Sequence, residues 1–365
     1  MKPVAGSVPS ASDPSASDPP APDSVVDGDD PRALVWDIIR GEWRFSALYA
    51  FVALDLARWL RDGPLDVAEL ARRCGADAGA LARLLRTNAA LGVVRTVSVR
   101  EGRRCYALTP AGLTLHGGAE HSMRSVVIPQ GAPDFREAMG SLAEAVRAGR
   151  SPFVTRFGSL YAYLEGDPEA RGHFDAHMAT RSRTIADAAV ARYDFSGVSC
   201  LVDVGGGVGT ILAAVLKANP RVRGVLFELE HVLPGAREFL ASEGVLDRCE
   251  LVAGDFFRSV PRADAYLLSN VLHNWSDTDA IAIGRTVVSA MSGAGRCLFL
   301  DMLLPEDDRP HLGKDLDMRM LALHPGGRER GRAEYLALLR EAGLVAERVV
   351  DLPYALSLIE AVPAR

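Results

Sequence analysis

One histidine lies where a sheet-based enzyme would place a proton acceptor. His273 belongs to the segment Leu267–Asp277, directly after the apolar run Ala265–Ser269, which predicts a buried strand. Open α/β sheets hold their active sites just beyond the carboxyl ends of the strands. Because imidazole titrates near neutral pH, a histidine there can act as a general base. The alternative is a loop histidine that caps a helix.

Two acids at similar loop positions would support such a base. Asp301 ends the next predicted strand, and Glu329 lies in the segment His324–Arg330. A carboxylate on the second ring nitrogen fixes the histidine tautomer and stabilises the imidazolium. For Glu329 the alternative is a surface ion pair with Arg328 or Arg330.

A glycine-rich segment upstream predicts a cofactor loop. After Asp203 the chain reads Gly205-Gly206-Gly207-Val208-Gly209, between a predicted strand and a predicted helix. Glycines allow a tight turn and the close approach of a ligand to the backbone. Thr210 stands where a dinucleotide fingerprint has its last glycine. The alternative is a structural turn that binds nothing.

Side chains at two further strand ends fit the same ligand. Glu228 ends the next predicted strand, where its carboxylate can accept both hydroxyls of a ribose, and Glu230 is its competitor. Asp255 can bond an adenine amino group while Phe256 covers a ring face. For Asp255 alone, a helix cap is the alternative.

The elements that must position these residues form an α/β pattern over 196–365. Short apolar runs separated by helical segments predict a doubly wound, Rossmann-like sheet. The last two runs are separated only by Leu352-Pro353-Tyr354, which is too short for a parallel crossover, so they predict an antiparallel hairpin. The predicted strands are Cys200–Val204, Val225–Phe227, Ala265–Ser269, Arg296–Leu300, Glu347–Asp351 and Ala355–Ala361.

Residues 31–195 form a second, mainly helical domain in this interpretation. Within it, 65–113 predict a winged-helix-like module of two helices and two strands, with eight arginines against four acids. That charge makes a DNA-binding regulator a serious alternative. The apolar helix Trp36–Leu54 is either core or a contact with a second subunit. Aromatic residues of Arg150–Tyr163, with Met123 and the Trp36–Phe51 stretch, line a pocket or form core.

Charge and composition argue against several classes of protein. The chain of 365 residues has a net charge of −6, but residues 1–30 hold six aspartates and one lysine, so the remainder is nearly neutral. That low-complexity tail predicts disorder. No apolar run suits a membrane span or a signal peptide. The five cysteines are scattered without a CxxC pair, which argues against a zinc site or disulfides and favours a reducing cytoplasm.

These motifs resemble those of a known family. Asp203–Gly209, Glu228 and Gly254–Phe256 resemble the cofactor motifs of class I S-adenosylmethionine-dependent methyltransferases. The segments VLHNWSD (271–277) and HPGGRER (324–330) resemble bacterial small-molecule O-methyltransferases, which are related to plant phenolic and hydroxyindole O-methyltransferases. The resemblance covers about 32–365.

The resemblance implies roles for individual residues. His273 would be the base and Asp301 and Glu329 its partners, with no metal. Glu228 stands where the family usually has Asp, and Ser269 where the plant enzymes have a cofactor-contacting Lys. The residues assigned to the cofactor are Asp203, Gly205, Gly207, Glu228, Asp255, Phe256 and Ser269; those assigned to substrate are Met178, Met320, Asn274 and Trp275.

The expected activity is methylation of a phenolic hydroxyl on an aromatic, polyketide-type natural product. S-adenosylmethionine would be the cofactor and S-adenosylhomocysteine the product, in a homodimer joined through the helical domain, without nucleic acid or membrane. Hydroxylation or decarboxylation by a cofactor-binding relative is one alternative. A Mg²⁺-assisted route is another, using Asp255, Asp277, Asp279 or Asp301.

Overall fold

The computed structural model describes residues 30–100, 103–119 and 122–364. The predicted disorder of 1–30 therefore falls, Asp30 excepted, outside the described residues. The N-terminal elements are α1 (Arg32–Ala53), α2 (Leu56–Leu60), β1 (Leu65–Asp66), α3 (Val67–Cys74), α4 (Ala78–Ala90), β2 (Val94–Arg100), β3 (Arg103–Leu108), α5 (Pro110–Leu113), α6 (Arg124–Gly131), α7 (Pro133–Gly140), α8 (Leu142–Ala148), α9 (Pro152–Phe157), α10 (Leu160–Gly166) and α11 (Pro168–Arg192).

The segment 65–113 has the predicted order of two helices and two strands, with one addition. The addition is Leu65–Asp66 at the start of the segment, which forms β1 and pairs antiparallel with β3 in a sheet ordered β1-β3-β2. The helix begins only at Val67 because the Asp66 carboxylate accepts the Glu69 amide at 2.8 Å and caps it. The comparison with a winged helix stays a prediction.

Helix α1 carries apolar side chains along its length, but its two halves differ in exposure. Near its end, Phe51 and Val52 are buried in a core with α2, α3 and α4. Its first half exposes a set of large apolar side chains, called here the α1 face: Leu34, Val35, Trp36, Ile38, Ile39 and Trp43. The helix thus contains core residues and also an uncovered apolar surface.

The C-terminal region alternates strands and helices. Its elements are β4 (Cys200–Val204), α12 (Thr210–Ala218), β5 (Arg223–Glu228), α13 (Leu233–Ser242), β6 (Cys249–Ala253), β7 (Ala263–Ser269), α14 (Asp277–Ala290), β8 (Met291–Leu304), α15 (Leu312–Leu323), β9 (Arg330–Gly331), α16 (Arg332–Glu341), β10 (Leu344–Asp351) and β11 (Leu356–Pro363), with 3₁₀ turns at Glu230–Val232, Leu246–Arg248 and Leu272–Asn274.

The main sheet has the order β10-β11-β8-β7-β4-β5-β6, and β9 pairs with β8 outside this path. Strands β4 to β8 pair in parallel, whereas β11 pairs antiparallel with both β8 and β10. The predicted α/β sheet with a C-terminal hairpin is confirmed. Strand order reverses at β4, whose neighbours are β5 and β7, and ligands bind at such a switch point.

Both faces of this sheet are buried, as parallel strands require. Leu201 packs into the core with α11 and α12, and its neighbour Val202 packs into the opposite core with α14 and α16. The sheet is thereby held rigidly between two helical layers, and its loops emerge at a fixed edge. Within the described residues, no helix combines the length and apolarity needed to cross a membrane.

Candidate active site

A cavity of about 700 Å³ lies at the carboxyl ends of β4, β5 and β7, and α11 forms its opposite wall. The predicted residues that line it are Asp203, Gly205, Gly207, Glu228, Asp255, Phe256, Ser269, Met178, Asn274 and Trp275. His273, Asp301, Glu329 and Met320 are buried and are not among the lining residues. The structure therefore brings the predicted cofactor positions together around one space.

The glycine loop turns where the sequence predicts. Gly205, Gly207 and Gly209 have φ values of 69°, 59° and 85°, a region that side chains other than glycine rarely adopt. A Cβ at Gly206 would come within 2.4 Å of the Asp203 carboxylate. The Gly207 amide donates to Glu228 Oε2 at 3.0 Å, so the loop and the strand-end acid face each other.

The Asp203 carboxylate lies beneath that loop and is not hydrogen-bonded. Both of its carboxylate oxygens are buried without a hydrogen-bond partner. Burial, and then the neighbouring Glu228 carboxylate, raise the pKa of Asp203 to about 7. A carboxylate in this state favours a ligand that brings hydrogen-bond donors or positive charge.

Aromatic rings form the wall after β6. The ring of Trp275 stands edge-on to Phe256 at 5.9 Å and to Phe257 at 4.8 Å. Asp255 Oδ1 accepts the Phe257 amide at 2.9 Å, which closes the turn that presents these rings. The structure thus places Trp275 beside the residues predicted for adenine; its predicted contact with substrate stays a prediction.

His273 and Glu329 form a buried pair. His273 Nδ1 lies 2.7 Å from Glu329 Oε1, and the two side chains are 7% and 1% exposed. The Glu329 amide donates to Asp317 Oδ1 at 2.8 Å, which holds the acid in place. Because the carboxylate accepts from Nδ1–H, the neutral imidazole keeps its lone pair on Nε2. The surface ion pair considered for Glu329 is not what the structure shows.

Asp301 has a different partner. Its Oδ2 accepts a hydrogen bond of 2.6 Å from the buried Tyr335 hydroxyl, and its Oδ1 is buried without a partner. Burial raises the pKa of Asp301 to about 6, while the nearby His273 ring opposes that rise and Glu329 adds to it. Asp301 therefore acts on the base through space, whereas Glu329 bonds it directly.

Arg330 holds the turn that presents His273. Its buried guanidinium donates to the Leu272 carbonyl at 3.0 Å, to the Trp275 carbonyl at 2.8 Å and to Asp277 Oδ1 at 2.8 Å. These bonds satisfy main-chain groups on both sides of the histidine. Sequence reasoning considered Arg330 only as a surface partner of Glu329 and missed this role.

The loop of Glu329 crosses the turn of His273 at close range. The Arg328 amide donates to the His273 carbonyl at 2.9 Å. A Cβ at Gly327 would lie 3.0 Å from that carbonyl oxygen and 3.1 Å from the Asn274 one. Glycine is therefore needed for the main chains to approach and for the two side chains to meet.

Arg181 is a second residue that the sequence did not identify. It projects from α11 into the cavity lining, and its Nη2 donates to Asn270 Oδ1 at 2.5 Å. Asn270 follows Ser269 and has a φ of 53°, a strained value for a residue with a side chain. The Arg181 charge thus lies beside Ser269, where the resemblance noted a missing lysine. Only helix packing against the loop reveals this.

The acids of the metal-assisted alternative have separate partners. Asp277 accepts from Arg330, Asp279 Oδ2 accepts from the Ser276 hydroxyl at 2.6 Å, and Asp301 accepts from Tyr335. Among the described residues there is no group of three or more His, Cys, Asp or Glu side chains arranged to hold a metal ion.

The aromatic segment 150–163 forms core. Phe153 is fully buried, and its ring lies 5.4 Å from Phe135, 5.1 Å from Phe157 and 5.3 Å from Tyr163. These rings pack against α15 and do not line the cavity. Met123 is 40% exposed elsewhere, and the Tyr161 side chain lies outside the described residues.

Comparison with known families agrees with this geometry. The sequence model of the O-methyltransferase domain matches residues 139–345. The model of the O-methyltransferase dimerisation domain matches residues 36–117, which include most of α1 and the whole 65–113 module.

Curated relatives cover most of the chain. It is 37% identical to the phenazine O-methyltransferase of Lysobacter antibioticus, over 91% of this chain and 96% of the relative. It is also 37% identical to the mitomycin biosynthesis 6-O-methyltransferase of Streptomyces lavendulae, over 86% and 88%. The aclacinomycin 10-hydroxylase of Streptomyces purpurascens is 36% identical, over 86% of each.

Solved structures share the fold over nearly the whole chain. The methyltransferase of calicheamicin biosynthesis with bound S-adenosylhomocysteine has a TM-score of 0.80 at 35% identity, covering 93% of this chain and 100% of that one. The O-methyltransferase of neocarzinostatin biosynthesis, bound to S-adenosylmethionine and 2-hydroxy-5-methyl naphthoic acid, has a TM-score of 0.75 at 30% identity, covering 87% and 95%.

Proposed function

The chain belongs to the O-methyltransferase family, and we propose that it methylates a phenolic hydroxyl of an aromatic natural product with His273 as the general base. Its activity as an S-adenosylmethionine-dependent O-methyltransferase follows from the family. The acceptor class, polyketide-type or related, and the role of His273 are the proposal. The observation that carries it is the buried His273–Glu329 bond of 2.7 Å beside the cavity.

The cavity fits S-adenosylmethionine at its glycine-loop end. The unpartnered Asp203 oxygens and the open space at Gly207 suit a ligand with donors and positive charge. Glu228 would hold the ribose, and the Phe256–Trp275 wall would hold the adenine. Arg181 beside Ser269 would supply positive charge for the amino-acid carboxylate. When bound, the cofactor supplies an electrophilic methyl group on a sulfonium.

His273 Nε2 is the atom that would receive the hydroxyl proton. A free imidazole (pKa about 6.5) is a weak base for a phenol (about 10), a gap of roughly 5 kcal/mol. Proton transfer that accompanies attack avoids a free phenolate. The Glu329 carboxylate stabilises the imidazolium that forms, and base catalysis of this kind contributes about 10²–10⁴ in rate. Positioning can supply about 7–11 kcal/mol more.

The test is a panel of phenolic natural products incubated with methyl-labelled cofactor and analysed by mass spectrometry. The expected product gains one methyl group and one label. A product that gains oxygen, as the name of the 10-hydroxylase relative suggests, or one that loses carbon dioxide would overturn the assignment of methyl transfer to this chain.

The regulator hypothesis is tested separately with a gel-shift titration on duplex DNA at low salt. We expect no shift, because the 65–113 module falls in the dimerisation-domain match. A shift that weakens steeply with added salt would support DNA binding instead.

We also propose a homodimer built on the α1 face. Six large apolar side chains there are between 40% and 69% exposed, which favours burial against a second copy. Light scattering coupled to size-exclusion chromatography should give a molar mass twice that of one chain. Replacing both Trp36 and Trp43 by Asp should lower the measured mass toward that of a single chain. A wild-type monomer would contradict this proposal.

A further inference from the structure

Asn270 joins β7 to the 3₁₀ turn Leu272–Asn274, which carries His273, and it does so in a backbone conformation unusual for a residue with a side chain. Its φ is 53°, and the residue is buried. Glycine adopts this region without cost, and asparagine is among the few other residues that do so regularly. Because glycine would serve this backbone equally well, the conformation alone does not account for the amide side chain.

Each of the four polar groups of Asn270 is hydrogen-bonded. Its amide N–H donates to the Leu300 carbonyl at 2.9 Å, and its own carbonyl accepts from Asn274 Nδ2 at 3.1 Å. Its side-chain Nδ2 donates to Ser269 Oγ at 3.1 Å, and its Oδ1 accepts from Arg181 Nη2 at 2.5 Å. The junction before the turn is therefore held from β8, from the turn itself and from α11 at once.

The bond from Arg181 differs from the other three because it comes from the helical region of the chain. Arg181 lies on α11, and both Arg181 and Asn270 line the cavity. A hydrogen bond with an ionised donor is shorter and stronger than one between neutral groups. The guanidinium has further donors besides the one that Asn270 accepts, so a ligand in the cavity and Asn270 can bind it together. This contact links the helical wall of the cavity to the segment that carries the base.

The rest of the His273 turn is held from within the C-terminal region. The Arg330 guanidinium donates to main-chain carbonyls on both sides of His273. These bonds do not involve Asn270, so they remain when the bond between Arg181 and Asn270 is lost. Loss of that one bond should therefore free the start of the turn without unfolding the site. A role in positioning the base can thus be distinguished from a role in folding.

We propose that Asn270 is a positioning residue for methyl transfer, which uses its bond to Arg181 to hold the start of the His273 turn. The inference rests on the proposed function, in which His273 Nε2 receives the hydroxyl proton. Asn270 exchanges no proton itself and acts by limiting the orientations open to the turn. Its effect can be large, because a displacement of about 1 Å at a reacting group can cost about 10²-fold in rate.

Two substitutions separate the side chain from the backbone. Asn270→Gly keeps the left-handed backbone available and removes both side-chain bonds, whereas Asn270→Asp keeps an acceptor for Arg181 and a second oxygen for the Ser269 hydroxyl. With S-adenosylmethionine and the phenol of the panel that is methylated fastest, kcat should fall at least about tenfold in Asn270→Gly and less than about threefold in Asn270→Asp. Affinity for S-adenosylhomocysteine, measured by calorimetry, should change much less than kcat.

The matched control is Asp55→Gly. Asp55 has the same φ of 53° and its carboxylate accepts from Arg124 Nη1 at 3.3 Å, but it lies between α1 and α2 and does not line the cavity. This variant relieves the same backbone strain and loses a comparable arginine bond, so its kcat should equal that of the wild type. An equal fall of kcat in Asp55→Gly, or a fall in Asn270→Asp as large as that in Asn270→Gly, would overturn the proposal.

The imidazole signals of His273 give a readout that needs no acceptor. In full-length protein made with isotope-labelled histidine and saturated with S-adenosylhomocysteine, the NMR signals of this ring are assigned by their loss in His273→Ala. We expect one sharp set of signals in the wild type and in Asn270→Asp, and broadened or doubled signals in Asn270→Gly. Signals in Asn270→Gly identical to those of the wild type would overturn the proposal.

These signals also separate the inference from the proposed function. The expected pattern of signals, without a methylated phenol from the panel, would leave the positioning of His273 standing and remove the assignment of phenol methylation. A methylated product formed with equal kcat by the wild type and Asn270→Gly would retain the methyl transfer and remove the positioning role of Asn270.

Discussion

The base end and the glycine-loop end of the site differ in how their acidic side chains are hydrogen-bonded. At the base end, His273 and Glu329 already face each other at 2.7 Å, and Arg330 satisfies the main chain around them. At the glycine-loop end, both oxygens of Asp203 are buried and unpartnered, and its pKa is raised to about 7. At the base end Glu329 Oε1 bonds His273 and Asp301 Oδ2 bonds Tyr335, although Glu329 Oε2 and Asp301 Oδ1 are buried without partners. At the glycine-loop end neither oxygen of Asp203 has a hydrogen-bond partner in the chain.

This difference separates chemistry from binding. A base must be held at a fixed orientation before the reaction, because misalignment costs rate directly. A cofactor site gains affinity when its polar groups are unsatisfied in the free protein and satisfied in the complex. Changes at the base end should therefore reduce turnover or folding stability, and changes at the loop end should alter cofactor affinity.

The largest effect is expected from His273→Ala. Loss of the proton acceptor should lower kcat by about 10²–10⁴. Cofactor affinity, measured by calorimetry, should change little, because His273 does not line the cavity around the glycine loop. His173→Ala on α11 serves as the control, and near-wild-type turnover in His273→Ala would remove the base assignment.

Arg330→Met should be the most damaging change to stability. It removes three or more hydrogen bonds and leaves the Leu272 and Trp275 carbonyls without their donor. Breaking a buried charged network typically costs about 3–5 kcal/mol of unfolding free energy. Urea unfolding of Arg330→Met is compared with that of Arg332→Met, a variant of an exposed neighbour. Equal unfolding midpoints for these two variants would contradict the role of Arg330.

A smaller loss is expected from Tyr335→Phe. The change leaves Asp301 Oδ2 without its hydrogen-bond donor at 2.6 Å. Leaving a buried acceptor unsatisfied should lower the free energy of unfolding by about 1–3 kcal/mol. The pKa of Asp301 is already raised to about 6, so the folded state binds this proton more tightly than the unfolded one. Its contribution to stability is therefore full below about pH 4 and lost as pH rises through 6.

Because the Tyr335 bond lowers the pKa of Asp301, its removal should move that loss to higher pH. Unfolding free energies of wild type and Tyr335→Phe, measured from pH 4 to pH 8, test the direction. A difference between the two proteins that does not vary with pH would argue against this coupling.

The smallest effect, about tenfold in cofactor affinity, is expected from Asp203→Asn. The cationic cofactor should favour the ionised form of Asp203, so binding below about pH 7 should release a proton and strengthen as pH rises to 7. Calorimetry in two buffers of different ionisation enthalpy counts that proton. Wild-type proton release retained in Asp203→Asn would assign the proton to another group.

The sequence predicted the parts of this molecule that depend on local pattern. Strand β4 has the predicted bounds because its apolar run ends at the glycine loop. The observed β8 runs from Met291 to Leu304, well beyond the predicted Arg296–Leu300, because pairing with β7, β9 and β11 extends it. The periodicity of the sequence reports local structure only and therefore cannot predict such long-range strand pairing.

The same limit applies to the site. Sequence pattern indicated both acids near His273 but could not distinguish the direct partner Glu329 from Asp301, whose hydrogen bond goes to Tyr335. Arg181 resembles an ordinary helix arginine in the sequence. Its hydrogen bond to Asn270 depends on the position of α11 beside the loop after β7, which is a tertiary property.

The crossing of the two loops at Gly327 has a further consequence for engineering. The bond from the Arg328 amide to the His273 carbonyl joins main chain to main chain, so this link between the two loops does not require the side chains at positions 273 and 329. The crossing therefore offers a starting point for placing other pairs of functional groups at these two positions.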